Sequence, residues 1–389
     1  MYSGKTVFSQ VLEGIHLQEF GRCVERYKGD YKVRHFSCWD QFLCMAFAQL
    51  TFRESLRDIE TCLRSRSGQL YHMGFRSPIS RSTLADANEQ RDWRIYADLG
   101  QRLIAKARRL YGGDPLSLGL EETVYALDSS TIDLCLSLFP WAHFRSAKAA
   151  IKLHTLLDLR GPIPSFVQVT DGKFPDVHMI DSLSIEPGAF YVMDRGYLDF
   201  ARLHLLHRAR AYFVIRAKAN LSFRRRRSRP IQRSTGLRSD HTGVFCGHYA
   251  RKDYPDPLRR VRYHDAETDR TLVFLSNHMD LAAETICALY KSRWQVELFF
   301  KWIKGHLRIK SFYGTSANAV KTQVWIAICV YTTIAILKKQ LNLPQSLHSI
   351  LQVLSVNAFE KVPMAELLMN SKSQDETTGA CNQLLLWDL

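Results

Sequence analysis

The chain has 389 residues, 46% hydrophobic and 23% charged; that is enough apolar material for two or three packed domains and too much for a disordered, collagen-like or disulfide-stapled chain. Its 53 Lys and Arg outweigh 38 Asp and Glu for a net charge of +15, which favours a polyanionic partner, nucleic acid before an anionic membrane. The 9 cysteines include no Cys-x2-Cys pair, so neither a zinc knuckle nor a paired-disulfide framework is indicated.

The first residues, MYSGKTVFSQVLEG, hold no apolar stretch of signal-peptide length, and with the unpaired thiols they predict a cytoplasmic, nucleoid-associated protein. Residues 1–115 show helical patterning punctuated by Gly68, Gly74, Pro78, Gly112, Gly113 and Pro115, and are read as an α-helical N-terminal DNA-binding domain. Within it Leu56, Ile59 and Leu63 recur at helical spacing, and Ser80 to Thr83 offer N-cap hydroxyls ahead of a second helix. Such a pair can lay the start of its second helix in a major groove, which makes Arg81, Ser82, Thr83, Asn88 and Arg91 candidate DNA contacts. An ordinary helical hairpin fits the same residues.

After Pro115, β-rich runs predict strands at 123–127, 151–157, 163–169, 189–193 and 212–216, with helical stretches around 176–184 and 199–208. The order β-β-β-α-β-α-β predicts an α/β fold, a mixed sheet flanked by helices, in a second domain over 116–340. Between Phe200 and Ser239 stand 12 Arg or Lys and no carboxylate, Arg224, Arg225, Arg226 and Arg227 among them. Charge of that density repels itself unless phosphate or solvent screens it, so a phosphate-facing surface is expected; a solvated loop or an address signal is the plainer reading. Alternation over 243–249, 259–264 and 270–275 predicts a β-rich insertion at about 219–276. Helices resume over 281–307 and 316–340. The apolar run 324–337 is too short for a bilayer of about 30 Å, so it is read as a buried helix with no membrane partner. Residues 341–389 are assigned to a C-terminal helical region and polar tail with dimer contacts.

Asp128 follows the apolar run VYAL and Asp194 follows FYVM, each at the expected exit of a buried strand, where a carboxylate is costly unless paired or holding a metal. Either alone also suits a turn or cap. In YKSRWQVELFFKWIKGHL, Tyr290, Arg293, Glu297, Lys301 and Lys304 fall within a stripe about 80° wide at about 100° per residue. The other faces carry Trp294, Val296, Leu298, Phe299, Trp302 and Ile303, which predicts a buried helix whose polar stripe faces a site; a salt-bridge stripe is the alternative. Three carboxylates without a histidine base suit hard cations, Mg2+ or Mn2+. Two such ions about 3.5 to 4 Å apart would serve in-line phosphoryl transfer on DNA. Arg293, Lys301 and Lys304 would neutralise phosphates, Tyr290 would donate a hydrogen bond to one, and Arg195 beside Asp194 is counted with the DNA contacts.

Tyr, two residues, Arg, three residues, Glu, six residues, Lys is spelled by Tyr290, Arg293, Glu297 and Lys304 without a gap. In this the chain resembles DDE transposases of the insertion-sequence-four family. The segments at Asp128 to Thr131 and Asp194 to Tyr197 resemble that family's two acidic motifs. Lys148 to His154 and Asp171 to Lys173 resemble its core elements, and Ser55 to Glu60 and Ser80 to Trp93 the N-terminal domain of one branch. The resemblance implies a ribonuclease H-like core with a β-rich insertion before the Glu-bearing helix, with Asp128, Asp194 and Glu297 as catalytic metal ligands. It also implies cut-and-paste transposition by a homodimer on double-stranded DNA, at terminal inverted repeats and target, often through hairpinned ends. The relatives hold a flipped base with a tryptophan in the insertion; this chain has none between Trp141 and Trp294, which leaves Tyr249, Tyr254 and Tyr263 as stacking candidates. Two rival functions are an inactive DNA-binding repressor of the element and a nuclease of the same fold without strand transfer. A two-carboxylate glycosidase fits neither the charge nor the cations around Glu297.

Overall fold

The computed structural model describes residues 4–116, 118–145, 148–305 and 312–370. Six helices come first: α1 (Val7–Leu12), α2 (Leu17–Arg26), α3 (Cys38–Leu50), α4 (Leu56–Arg64), α5 (Arg81–Gln90) and α6 (Arg94–Tyr111). Local chemistry sets their starts. Ser37 and Asp40 form a reciprocal capping box on α3, and Ser55 caps α4 through the Asp58 amide. Ser80 makes no cap bond to α5 and pairs instead with the Ser82 hydroxyl at 2.8 Å.

The middle of the chain supplies β1 (Val124–Leu134), β2 (His143–Arg145), β3 (Lys148–Asp158), β4 (Ile163–Asp171), β5 (Phe190–Met193), α7 (Phe200–Arg208), β6 (Tyr212–Arg216), β7 (Phe223–Ser228), β8 (Leu237–Phe245), α8 (His248–Asp253), β9 (Leu258–Asp265) and β10 (Arg270–Ser276). It ends in α9 (Ala283–Ser292), α10 (Trp294–Gly305), α11 (Ala317–Gln340), α12 (Leu347–Asn357) and α13 (Met364–Asn370). The strands form one mixed sheet in the order β2-β3-β1-β5-β6-β10-β9-β8-β7, with β4 also on β3. β1, β5 and β6 run parallel, while β3 and β10 are antiparallel to their inner neighbours.

Burial on both faces explains the unbroken apolar runs FYVM and YFVIR. Leu127, Met193, Ile215 and Leu275 share one row and pack with Leu203 and Leu206 of α7. Ala126, Val192 and Val214 face the other way, into a core shared with α9, α10 and the helical body. The β-rich segment is continuous with this sheet, because β10 pairs with β6 and carries β9, β8 and β7 outward.

Several boundaries differ from the sequence reading. β1 continues to Leu134 against β3, although DSSTIDL has no apolar alternation to announce a strand. The arginine run forms edge strand β7, with a bulge between Arg225 and Arg227 that, with the charge, protects the edge from further pairing. The stretch 243–249 divides between β8 and α8, 176–184 becomes a 3-10 turn (Asp176–Ser182), and the single helix expected over 281–307 breaks at Arg293. α11 lies along α6 and against α3 and α5 instead of beside the sheet alone. By length and composition it is apolar enough to cross a membrane, yet 89% of its apolar window is buried inside the protein. Its approach to α6 is close: a Cβ on Gly100 would come within 2.9 Å of the Trp325 ring. Residues after 340 also close this helical body, for Val7 N and Phe8 N donate to Glu360 O and Ala358 O at 2.8 and 3.1 Å. An all-round apolar helix has to be enclosed, and α6 supplies one wall.

The sheet extension is fastened by a buried ion pair. Arg259 of β9 donates to both carboxylate oxygens of Asp240 in β8, at 2.8 and 2.5 Å, and to the carbonyls of Met279 and Leu281, the link into α9. Removing one partner leaves an uncompensated buried charge. Asp240→Ala should therefore lower the unfolding free energy by about 3–5 kcal/mol in chemical denaturation; wild-type stability would show that the pair does not fasten the extension.

Candidate active site

The parallel pairing of β1 with β5 ends at Leu127 opposite Met193, so Asp128 and Asp194 are the first residues beyond the last shared rung. β1 continues against β3 alone, which opens a notch at Asp128 where β5 has no further residue to offer. Crevices at the carboxyl ends of parallel strands are where such sheets receive ligands. Asp128 is thus within its strand and not at its exit, but at the end of its parallel neighbour. Alternation turns it, like Ala126, toward α9 and α10.

α9 and α10 bring the remaining groups to this notch. The Tyr290 ring packs 4.6 Å from that of Phe274, and its hydroxyl donates to Asp194 Oδ1 at 2.8 Å. Arg293, at the break between the helices, donates through Nη1 to Asp128 Oδ2 at 2.5 Å and through Nη2 to Glu297 Oε1 at 2.6 Å. Lys304 Nζ reaches the Thr131 carbonyl at 2.6 Å. Val296, Phe299, Trp302 and Ile303 anchor α10 in the core, whereas Trp294 and Leu298 are 52% and 46% exposed. The Glu-bearing helix is therefore not enclosed as its composition suggested; its outer face is open, with the Glu297 side chain 59% exposed beside Arg293 at 16%.

Electrostatics mark Asp128 as the strained member. Burial raises its pKa, Arg293 and the Ser129 amide pull it down, and Glu297 and Asp194 push it up again, leaving it at about 6. Burial lifts Tyr290 to about 12 against the pull of Arg293, so its phenol stays a donor. Arg293 is held above its usual value, because its carboxylate neighbours outweigh its burial. Among the described residues no group of three or more His, Cys, Asp or Glu is close enough to hold a metal ion: a guanidinium stands between Asp128 and Glu297, and a phenol holds Asp194. The donors themselves are hard oxygens, whose mutual repulsion at Asp128 a cation would relieve, and in that chemical sense they fit Mg2+ or Mn2+.

Behind Asp128 lies a polar network centred on Asp176, a residue not singled out from the sequence. Asp176 Oδ1 accepts from the Ser129 hydroxyl at 2.8 Å and lies 3.1 Å from Lys152 Nζ and 3.8 Å from His154 Nδ1. Burial takes His154 down to about 4, so it is neutral. Ser129 stands opposite His154, and Lys152 shares that face two residues away; the Lys-x-His spacing on a strand was the available signal.

The other expected contacts divide. Arg81, Ser82 and Thr83 are exposed at the start of α5, as are Arg195, Lys301 and Arg224 to Arg227. Asn88 is buried and accepts from Gln41 Nε2 at 2.8 Å, and Arg91 donates to the carbonyls of Ser37 and Phe36. These two brace α5 against α3; Asn88 is closed off from any DNA, while Arg91 stays partly exposed. Of the three tyrosines in the extension, Tyr254 is buried between α7 and β8, Tyr263 lies under Lys291 and Tyr249 is 79% exposed, so Tyr249 is the one free to stack.

An unfolded aspartate gives up its proton near 3.8, the folded Asp128 near 6. Between those values the folded state binds more proton, so each step up in pH costs stability and the loss is complete above about 6. Asp128→Asn lacks that proton; measured by urea unfolding in chelator, its stability relative to wild type should climb from pH 4 to pH 6, by up to about 3 kcal/mol, then stay level. A pH-independent difference would contradict the shift.

Comparison with known proteins follows the same residues. The family model described as a transposase DDE domain matches residues 119–333, and a domain of unknown function, DUF4372, matches 3–76. The chain is 34% identical over 269 residues to y4zB of Sinorhizobium fredii, a protein named as a transposase, covering 67% of this chain and 72% of that one. It is 30% identical over 239 residues to a protein of Geobacillus stearothermophilus named as a transposase for insertion sequence element IS5377, covering 60% and 62%. With one named for element IS4SA of Synechocystis it shares 23% over 328 residues, covering 82% and 89%. The DDE-domain match spans more than half of the chain and includes both aspartates and the whole Tyr-Arg-Glu-Lys signature, so this chain belongs to the DDE transposases of insertion sequences, in the insertion-sequence-four family.

Proposed function

We propose that the sheet is a ribonuclease H-like catalytic core and that Asp128, Asp194 and Glu297 carry metal-dependent cleavage and strand transfer of DNA at transposon ends. The observation that carries this reading is the bridge made by Arg293 between Asp128 and Glu297, with Tyr290 on Asp194 beside it. Residues 96 and 165 positions apart meet at the carboxyl ends of parallel strands. The order β4-β3-β1-β5-β6, with β3 alone antiparallel, supports the core assignment.

Two Mg2+ or Mn2+ ions held by the three carboxylates would activate a water or 3′-hydroxyl and stabilise the leaving oxygen. Arg293 is buried at the point where a scissile phosphate would approach the carboxylates, and its planar fork suits phosphate oxygens. Tyr290, neutral at physiological pH, orients Asp194 and has a hydroxyl lone pair left over. Lys301 and Lys304 line the side of α10 that a DNA strand would follow, and Arg195, exposed next to Asp194 in the chain, adds a further phosphate contact. Arg81, Ser82 and Thr83 supply a contact to the terminal repeat at the start of α5. The acting species is a homodimer holding two ends and then target DNA, at the nucleoid.

Each of Asp128→Ala, Asp194→Ala and Glu297→Ala should reduce Mg2+-dependent cleavage of a duplex carrying the element's end on the order of 10³-fold or more, with end binding retained. Full activity in any one removes that residue from the set. Lys304→Gln should flatten the salt dependence of end binding by about 0.9 in log-log slope, and an unchanged slope counts against a phosphate contact there.

A further inference from the structure

The sheet extension has two unlike faces. Leu127, Met193, Ile215, Leu275 and Arg260 stand in one row across β1, β5, β6, β10 and β9. Arg260 therefore points to the side covered farther in by α7, while Asp128, one residue beyond Leu127, points to the other. Its chain neighbour Arg259 faces the catalytic side and is closed off by Asp240.

Arg225, His241, Arg260 and Arg262 share the opposite face. Arg225 pairs with Gly243, two residues from His241; His241 pairs with Arg260; Arg262 lies two residues farther along β9. Among the described residues these three arginines have no carboxylate within ion-pair distance; the acids at this end of the sheet are engaged elsewhere, Asp240 with Arg259 and Asp269 near His264. Arg260 is nonetheless held in place. Its guanidinium lies 4.6 Å from the centroid of the Phe223 ring and its Nη2 is 3.4 Å from His241 Nδ1. Burial, then Arg260 and Arg225, press His241 below its ordinary value, so the imidazole is neutral at pH 7. Burial and the neighbouring Arg262 and Arg225 press Arg260 downward as well, the mark of a cation without a counterion.

A guanidinium fixed by a ring and a neutral imidazole keeps its charge for an outside anion, whereas one fixed by a carboxylate does not. Adjacent strands lie about 4.8 Å apart and residues i and i+2 about 6.6 Å apart, so these charges spread over a plane that suits a run of phosphates better than a single small anion. α8, packed on the same side, adds exposed Arg251 and Lys252, with Asp253 its one acid. Arg224 pairs with Val244 and so belongs to the catalytic side. The arginine strand is divided between the two faces.

We propose that the face formed by Phe223, Arg225, His241, Arg260 and Arg262 is a second duplex-DNA site, which takes a stretch of DNA other than the one lying at the carboxylates. This rests on the DNA-processing reading above and adds to it a separate surface across the sheet. The test is binding of the full chain to a fluorescent duplex of arbitrary sequence over a salt series, beside Mg2+-dependent cleavage of an end duplex at saturating protein. The variant R225Q/R260Q/R262Q should lower the log-log salt slope by about 2 to 3, since each neutralised phosphate contributes about 0.9, and keep the wild-type cleavage rate. R262Q alone, at an exposed position outside the stack, should lower it by about 0.9, which guards against misfolding of the triple variant, and the charge-keeping R260K/R262K should retain the wild-type slope. An unchanged slope in the triple variant while wild type cuts normally overturns the surface alone. So does a triple variant that loses phosphatidylserine vesicles but keeps its DNA slope. Slope loss in a chain that cuts no end duplex supports the surface and removes the catalytic reading.

Discussion

Arg293 lies with 16% of its side chain exposed between Asp128, on the central strand, and Glu297, one turn farther along its own part of the chain. A guanidinium so far from water needs its carboxylate partners, and Asp128, half-buried and pressed by Glu297 and Asp194, needs the guanidinium. That mutual requirement, together with the buried Val296, Phe299, Trp302 and Ile303, holds α10 against the sheet. The break before α10 serves the same end, because it lets Tyr290 reach Asp194 from α9 while Arg293 turns to Asp128. The site is thus a charge cluster that the fold completes by contact between distant segments.

What surrounds the cluster keeps it from collapsing into ordinary structure. β5 is four residues long, and its early end leaves the notch at Asp128; a longer β5 would have continued the ladder through it. Behind the notch, Ser129, Asp176 and Lys152 tie β1 and β3 to the turn after β4, so the strand bearing Asp128 is braced from the far side. α11 does the corresponding work for the helices, enclosed by α6, α3 and α5, so that the N-terminal helices and the sheet share one core.

Much of this was legible where a residue's environment is decided locally. FYVM and YFVIR read as strands because both faces of a parallel strand are buried, and the steps of 3, 4 and 7 from Tyr290 through Arg293 and Glu297 to Lys304 read as one helix face because helical geometry leaves little choice. The break at Arg293 was not legible: no Pro or Gly marks it, and the partner that Arg293 meets there, Asp128, is 165 positions away. β7 was hidden because four adjacent arginines carry no alternation, and only pairing with β8 makes them a strand. The burial of Asn88 was not legible because a polar side chain at a helix surface looks alike whether it meets solvent or the Gln41 amide. Trp294 and Leu298 erred the other way, apolar in type yet outside the core. In each case the deciding partner is far away in the chain.

The central proposal, that Asp128, Asp194 and Glu297 together hold divalent cations, is tested most directly by counting Mn2+ bound per chain by electron paramagnetic resonance in the presence of end duplex. Two ions per chain are predicted, with loss in Asp128→Asn and Asp194→Asn. No bound Mn2+, or binding unchanged in both variants, would contradict it.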